Sequence, residues 1–445
     1  MEEYVNGLRT TKSRAHFESA TKLMPGGTSS NARSYPLFDP YYIVMRKGRG
    51  SHIWDIDGNE YIDYSLSYGP LILGHCHPKV VSAVKHQVET LHMSETATSL
   101  ELDLAKKFNK FVPCAEMVRF GNTGTEATMQ AIRLARGVTK RDKILKFEGQ
   151  YHGTHDYVLF STLGTPLGSM GPEESPNKVP GSWGIPDTVK NTVIVIPWNS
   201  PEILEKTIAQ HGSEIAAVIT EPVMNNVGWV PPEPGYLQFI RRLTQENGII
   251  LILDEVVTGF RLALGGAQEV FKIKPDLATY AKAMGGGFPI SAIAGKKEIM
   301  EHMRPGEVLH GGTYNGNPMS LAASNAVIDV LSAKGGAVYK KMHRIGNKLL
   351  KGHQDAIEDT KTVAIAQGGG PVLQLYFTDL KRIRNYRDYC KADPEKYRRY
   401  QKEMAKRGVW FGPEVHFFIS AVHSDEDANR TIEAVRDSLN TLKKA

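Results

Sequence analysis

Ile249-Ile250-Leu251-Ile252-Leu253-Asp254 is an aliphatic run that ends in an acid, and Leu277-Ala278-Thr279-Tyr280-Ala281-Lys282 is a second run that ends in a base. Neither alternates polar with apolar residues, so both read as strands buried on two faces, as in a parallel sheet covered by helices. Five more short apolar runs accompany them, at residues 117–120, 143–147, 192–196, 215–220 and 291–294. Helical patterns lie between the runs, which predicts an α/β fold with a mostly parallel seven-stranded sheet. In such sheets ligands bind beyond the carboxyl ends of the strands, where Asp254 and Lys282 are expected to lie.

The flanks read differently. Residues 42–45, 51–55 and 61–63 suit antiparallel strands, with an Asp57-Gly58-Asn59 turn before the last. The first twenty residues are polar and periodic, the pattern of an amphipathic helix. Towards the other end come helical patterns over 337–357 and 394–407, then short strands near 372–377 and 416–421. A last helix is expected from Asp425, with Glu426 and Asp427 suited to its positive end. Residues 1–70 and 331–445 are therefore expected to form a smaller α+β domain, and residues 71–330 the larger one. Residues 161–188, dense in Gly, Pro and Ser, are too long for a plain connection and predict a mobile lid.

A chain of 445 residues exceeds one hydrophobic core, which again predicts two domains. Its 41% hydrophobic and 23% charged residues are those of a globular protein, and a dispersed net charge of +6 does not build a nucleic-acid surface. Three cysteines cannot make a disulfide framework. His75-Cys76-His77 lacks a second ligand pair at metal spacing, so no metal site is expected. No apolar run approaches the ~20 residues that span a bilayer. The polar N-terminus has no secretory pattern, and a cytoplasmic protein is expected.

An amine and a carboxylate at the ends of neighbouring strands suit pyridoxal 5'-phosphate, whose aldehyde bonds a lysine and whose ring nitrogen meets an acid. Alone, Lys282 reads as a surface lysine and Asp254 as a capping residue. Gly121-Asn122-Thr123-Gly124-Thr125-Glu126-Ala127 follows a strand and opens a helix. Its backbone N–H groups, the positive helix end and the Thr125 hydroxyl can hold a phosphate. It reads equally as a plain turn capped by Thr125, and it is neither a G-x-G-x-x-G fingerprint nor a P-loop. Tyr151 ends another strand-to-loop passage and can stack on a flat ring. Asn226 can donate to a phenolate oxygen or close an Asx-turn. Arg33, in the Gly- and Ser-rich loop 26–32, can grip a carboxylate with two parallel hydrogen bonds, or it is a surface arginine.

Three stretches resemble the signature of class III aminotransferases: Asp254-Glu255-Val256-Val257-Thr258-Gly259-Phe260-Arg261, Ala281-Lys282-Ala283-Met284-Gly285-Gly286-Gly287 and Gly312-Thr313-Tyr314-Asn315-Gly316-Asn317-Pro318. Gly69-Pro70-Leu71-Ile72-Leu73-Gly74-His75, residues 122–136 and Phe147-Glu148-Gly149-Gln150-Tyr151-His152-Gly153 are similar to the glutamate-1-semialdehyde aminomutase branch. The resemblance implies a fold type I enzyme that uses pyridoxal 5'-phosphate. It implies that Lys282 bonds the cofactor and moves a proton between substrate and cofactor, and that Asp254 pairs with the ring nitrogen. Val256 and Tyr151 are expected on the two ring faces, Asn226 near the phenolic oxygen, and Gly124 and Thr125 at the phosphate. Thr313 is expected to reach that phosphate from a second subunit, which implies a homodimer. Arg33 is expected at a substrate carboxylate, and the lid at the aminomutase's gating loop.

The chain also departs from that branch. Val415 stands where its Phe-Glu-Ala-Gly-like element has glutamate, Tyr68 where tryptophan is expected, and Met224-Asn225 replace smaller residues. The cofactor residues are kept while the substrate wall, with Tyr68 in it, is altered. The expectation is therefore an aminotransferase that passes an amino group from a carboxylate-bearing donor, such as a β-amino acid, to a keto acid or aldehyde. The aminomutase reaction and an amino-acid racemase or epimerase on the same scaffold are the alternative enzymes. A non-catalytic phosphate-binding protein is the third, and it would be colourless.

Overall fold

The structure is a computed structural model that describes residues 4–5, 7–34, 36–412 and 416–444. The chain forms two compact units.

The larger unit comprises residues 78–339 and 383–390. It is built on seven strands: β1 (Met117–Gly121), β2 (Lys143–Phe147), β3 (Val193–Ile196), β4 (Ile215–Thr220), β5 (Ile250–Asp254), β6 (Leu277–Tyr280) and β7 (Ser291–Gly295). Each begins and ends within a residue of an apolar run in the sequence. The strands lie in the order β1-β7-β6-β5-β4-β2-β3. β7 runs antiparallel to both its neighbours, and the other pairings are parallel. The expected mostly parallel α/β sheet is present. Every residue of β4 and β5 is buried, as strands covered on both faces must be. Helix α1 (Gly124–Thr139) lays Ala131, Ile132, Leu134 and Ala135 against Ile144, Ala217, Ile252 and Leu277 of the sheet. Burying each large aliphatic side chain contributes about 1.5–3 kcal/mol.

The register places the chemistry. Asp254 ends β5 opposite Thr279 of β6, and the chain continues from β6 through Ala281 to Lys282. Both side chains therefore leave adjacent strands at the carboxyl edge of the sheet.

The smaller unit comprises residues 1–77, 340–382 and 391–445. Met45–Arg49, His52–Asp55 and Glu60–Asp63 form an antiparallel sheet, joined in parallel by Val409–Trp410. A second sheet pairs Ile365–Gly368, Val372–Tyr376 and Phe417–Phe418. Helices Pro394–Lys406 and Asp425–Lys444 complete the unit.

Several expectations are corrected. The strand expected at 42–45 begins only at Met45, because Tyr41 and Ile43 pack into an apolar cluster with Leu8, Phe38 and Tyr61 instead of pairing. The N-terminal helix is confined to Thr11–Ala20; before it, Tyr4–Val5 pairs back on Leu8–Arg9 around Gly7 at φ +95°. The boundary between units falls at 77/78 rather than 70/71, since Gly50 and His75 exchange two backbone hydrogen bonds and Asp63 accepts from His75 Nε2 at 2.7 Å. That bond also gives His75 of the His75-Cys76-His77 stretch a partner within the fold. The second boundary falls at 339/340, beyond a break in the helical stretch Pro318–Asp359 at 333–336. Residues 383–390 join the larger unit through a buried pair: Arg387 donates to Glu148 at 2.8 and 2.9 Å, and Tyr386 donates to the Thr165 carbonyl at 3.0 Å.

The segment 161–188 is irregular apart from two short 3-10 turns, Leu167–Ser169 and the start of Asp187–Thr192. It folds back on itself, with Ser161 donating to Val179 and Gly181 to Leu159. Trp183 stands fully exposed within it. Among the described residues no helix is long and apolar enough to cross a membrane.

Candidate active site

Strand β1 turns into α1 through a capping box. Thr123 Oγ1 accepts from the Glu126 N–H, and the Glu126 carboxylate accepts from the N–H groups of Asn122 and Thr123. The cap is thus Thr123 rather than Thr125, and Gly124 and Thr125, in the first turn of α1, line a cavity of ≈ 180 Å³. Gly153, at φ +103°, closes over the same turn: a Cβ there would lie 2.7 Å from Thr125 Oγ1. The combination of oriented N–H groups, the helix's positive end and a hydroxyl is that of an anion site.

The cavity is lined by Gly124, Thr125, Tyr151, Asn226, Asp254, Val256 and Lys282, seven of the expected site residues. Lys282 sits at φ +43° on a short 3-10 turn. Burial lowers the pKa of its amine, and the carboxylates of Asp254 and Glu221 oppose that shift. Val256 lies against Gly124, whose Cβ would meet it at 3.2 Å, so that glycine lets the Val256 side chain and the start of α1 approach each other.

Asp254 is almost wholly buried, and both of its oxygens accept hydrogen bonds. Its Oδ1 accepts from the Val256 N–H and from Thr279 Oγ1, each at 3.1 Å. Its Oδ2 lies 2.7 Å from His152 Nδ1. A carboxylate only accepts, so that nitrogen carries the proton. His152 is itself buried, and among the described residues its Nε2 has no partner. Glu221, at the end of β4, accepts from the N–H groups of Tyr151 (3.0 Å) and Asn225 (2.8 Å) and from Asn226 Nδ2 (3.0 Å). Burial pushes its carboxyl pKa up and the Asp254 charge adds to this, while His152 and the donated N–H groups oppose it. Sequence assigns no role to His152 or Glu221. The available signals were a histidine directly after the stacking aromatic and a second acid at a strand's carboxyl end.

The other expected residues lie outside this cavity. Thr313 is exposed, on a turn beside the exposed Leu309 and Tyr314, and does not line the pocket of its own chain. Arg33 and Tyr68 belong to the smaller unit, where Arg33 is exposed on a 3-10 turn and the Tyr68 hydroxyl donates to the Ala32 carbonyl at 2.7 Å. Glu414 and Val415, in the element that departs from the aminomutase branch, lie outside the described residues. Among the described residues no three His, Cys, Asp or Glu side chains gather as metal ligands.

The lining fits pyridoxal phosphate group by group. An amine is present for the aldehyde, and a buried acid held by a histidine for the ring nitrogen. An aliphatic and an aromatic side chain are present for the two ring faces, and a helix N-terminus for the phosphate.

Comparison with known proteins agrees. The class III aminotransferase family matches residues 35–439. A glutamate-1-semialdehyde 2,1-aminomutase of Methanothermobacter thermautotrophicus is 45% identical over 436 residues, 97% of this chain and 100% of the relative. The crystal structure of an omega-transaminase from Sphaerobacter thermophilus superposes with a TM-score of 0.90 at 31% identity, covering 97% and 98% of the two chains. A transaminase with PLP bound superposes with a TM-score of 0.87 at 27% identity, covering 98% of each chain.

Proposed function

Since the chain belongs to the class III aminotransferase family, a family of pyridoxal-phosphate enzymes, we propose that it moves the amino group of glutamate-1-semialdehyde from carbon 2 to carbon 1. The observation that carries this reading is the 45% identity with an aminomutase over 97% of this chain and the whole of that relative. The sequence alone favours transfer to an external acceptor; the relatives favour the aminomutase alternative. By atom balance the product is 5-aminolevulinate, and no second substrate is consumed.

The cofactor supplies an aldehyde and an electron-withdrawing ring that acidifies the substrate C–H bond. Lys282 Nζ moves the proton at that carbon, and its lowered pKa favours the neutral amine that can accept it. Asp254 holds a counter-charge at the ring nitrogen, and His152 keeps that carboxylate in place. Val256 and Tyr151 would pack on the two faces of the ring and exclude water from them. The N–H groups of Gly124 and Thr125 bind the phosphate, with Thr313 of a second subunit completing the site in a homodimer. Asn226, oriented by Glu221, donates to the phenolic oxygen. Arg33 binds the substrate carboxylate, and the 161–188 segment covers the site during the reaction.

The test supplies the semialdehyde as sole substrate. The reading expects 5-aminolevulinate without any added keto acid or amine. Product formed only when a keto acid or amine partner is added would replace it with an ordinary transamination. That second reading is favoured by Tyr68 and by Met224-Asn225, where this chain departs from the aminomutase pattern.

A further inference from the structure

Lys146 is a fully buried lysine that the proposed reaction does not use. It lies in β2 among Ile144, Leu145 and Phe147, none of which is exposed. A buried ammonium is costly unless every N–H finds a partner. Here each does. Lys146 Nζ donates to the carbonyls of Phe160 (2.7 Å), Gln150 (3.2 Å) and Phe147 (3.4 Å).

One of these acceptors belongs to the peptide that joins Gln150 to Tyr151. The N–H of that same peptide donates to Glu221 Oε1 at 3.0 Å. A single planar group is therefore held at its oxygen by a buried cation and at its nitrogen by a buried anion. The Gln150 side chain holds the backbone of Glu221 in turn, since its Oε1 accepts from the Glu221 N–H at 2.9 Å and from Thr220 Oγ1 at 3.1 Å. Fixing the plane fixes the direction in which Tyr151 leaves the backbone. Phe160, the third acceptor, immediately precedes the irregular segment, so the same ammonium fastens the root of that segment.

We infer that Lys146 is a positioning residue for the cofactor: with Glu221 it clamps the Gln150–Tyr151 peptide and so sets the Tyr151 ring at the face of pyridoxal phosphate. This rests on the assignment of Tyr151 to that face. It differs from an ordinary core lysine because its contribution passes through one neighbour. Burial lowers the Lys146 pKa to about 7, while Glu221 and Glu148 oppose the shift. Glu148 is itself paired with Arg387. Measurements therefore belong at pH 6, where the ammonium and its three donors are present.

The experiment reconstitutes wild type, Lys146→Met, Tyr151→Ala and the double variant with pyridoxal phosphate. It records the cofactor's visible circular dichroism and its dissociation constant, with far-ultraviolet spectra as a fold control. Loss of charge-assisted hydrogen bonds predicts binding about tenfold weaker in Lys146→Met and a diminished visible band. The double variant is expected to match Tyr151→Ala, because the two changes act on one element. Additive effects, or an unchanged band in Lys146→Met beside an altered one in Tyr151→Ala, would overturn the inference alone. An unchanged band in Tyr151→Ala would overturn the ring-face assignment together with the inference. Lys146→Gln keeps an uncharged donor and stands in if the methionine variant does not fold; it is expected to keep part of the band, and a band equal to wild type beside an altered one in Tyr151→Ala would count against the clamp.

Discussion

Asp254→Asn keeps the shape of the site and removes one charge. The structure shows why the amide cannot replace the acid. In the native site Oδ1 accepts from Val256 N–H and Thr279 Oγ1, and Oδ2 accepts from His152 Nδ1 at 2.7 Å. If the asparagine oxygen keeps the first position, its NH2 faces His152 Nδ1. That histidine must then move its proton to Nε2, which is buried without an acceptor among the described residues. If the amide turns round, its NH2 faces the Val256 N–H, donor against donor. Either orientation leaves a buried N–H donor unpaired, where the native site leaves only the unprotonated Nε2 of His152, and the ring nitrogen loses its counter-charge. A hydrogen bond to a charged group is worth about 1.5–3 kcal/mol. Cofactor affinity should therefore fall by roughly ten- to a hundredfold at 1.4 kcal/mol per decade. The assay is titration of the apoenzyme with pyridoxal phosphate, followed by single-turnover reaction with an amine. A variant that binds the cofactor within a factor of two of wild type and reacts at the same rate would refute this account of Asp254.

Further outcomes follow from other parts of the molecule. Gly153→Ala places a Cβ 2.7 Å from Thr125 Oγ1 on a backbone at φ +103°, so it should weaken phosphate binding; equal affinities for pyridoxal phosphate in variant and wild type would contradict that. Arg33→Ala should raise the KM of carboxylate-bearing substrates about tenfold or more, and that of simple amines far less; equal effects would remove Arg33 from recognition. Burial chiefly, with His152 and Arg136 adding, pushes His155 from its ordinary 6.5 down to about 3. The unfolded chain therefore binds the extra proton first, and stability is lost as pH falls from about 6.5 towards 3. One proton corresponds to at most about 1.4 kcal/mol per pH unit. In urea unfolding at pH 6 and pH 5, His155→Gln should show a correspondingly shallower loss; an identical pH slope would contradict the buried neutral histidine.

The sheet was legible because β4 and β5 are buried on both faces and so read as unbroken apolar runs, with Asp254 marking the carboxyl end of β5 and Lys282 that of β6. The partners of those residues were not. His152 acquires its role only when β2 and β5 bring it to Asp254, 102 positions along the chain. Lys146, in Lys143-Ile144-Leu145-Lys146-Phe147, looks like a solvent-facing polar residue of an alternating strand, and only the returning backbone at Gln150 and Phe160 provides its acceptors. The Glu148–Arg387 pair spans 239 positions and carries no local signal, which is why residues 383–390 were expected in the smaller unit. Ile43 misled in the opposite direction, since apolar packing against a core resembles strand pattern without requiring a ladder.

The most direct test of the whole account is chemical. Borohydride treatment of the holoenzyme fixes the cofactor to whichever amine holds it, and peptide mass mapping then locates it. The account predicts one phosphopyridoxyl group per chain, on the peptide that contains Lys282. A label on any other lysine, or no label on protein that has demonstrably bound the cofactor, would contradict it.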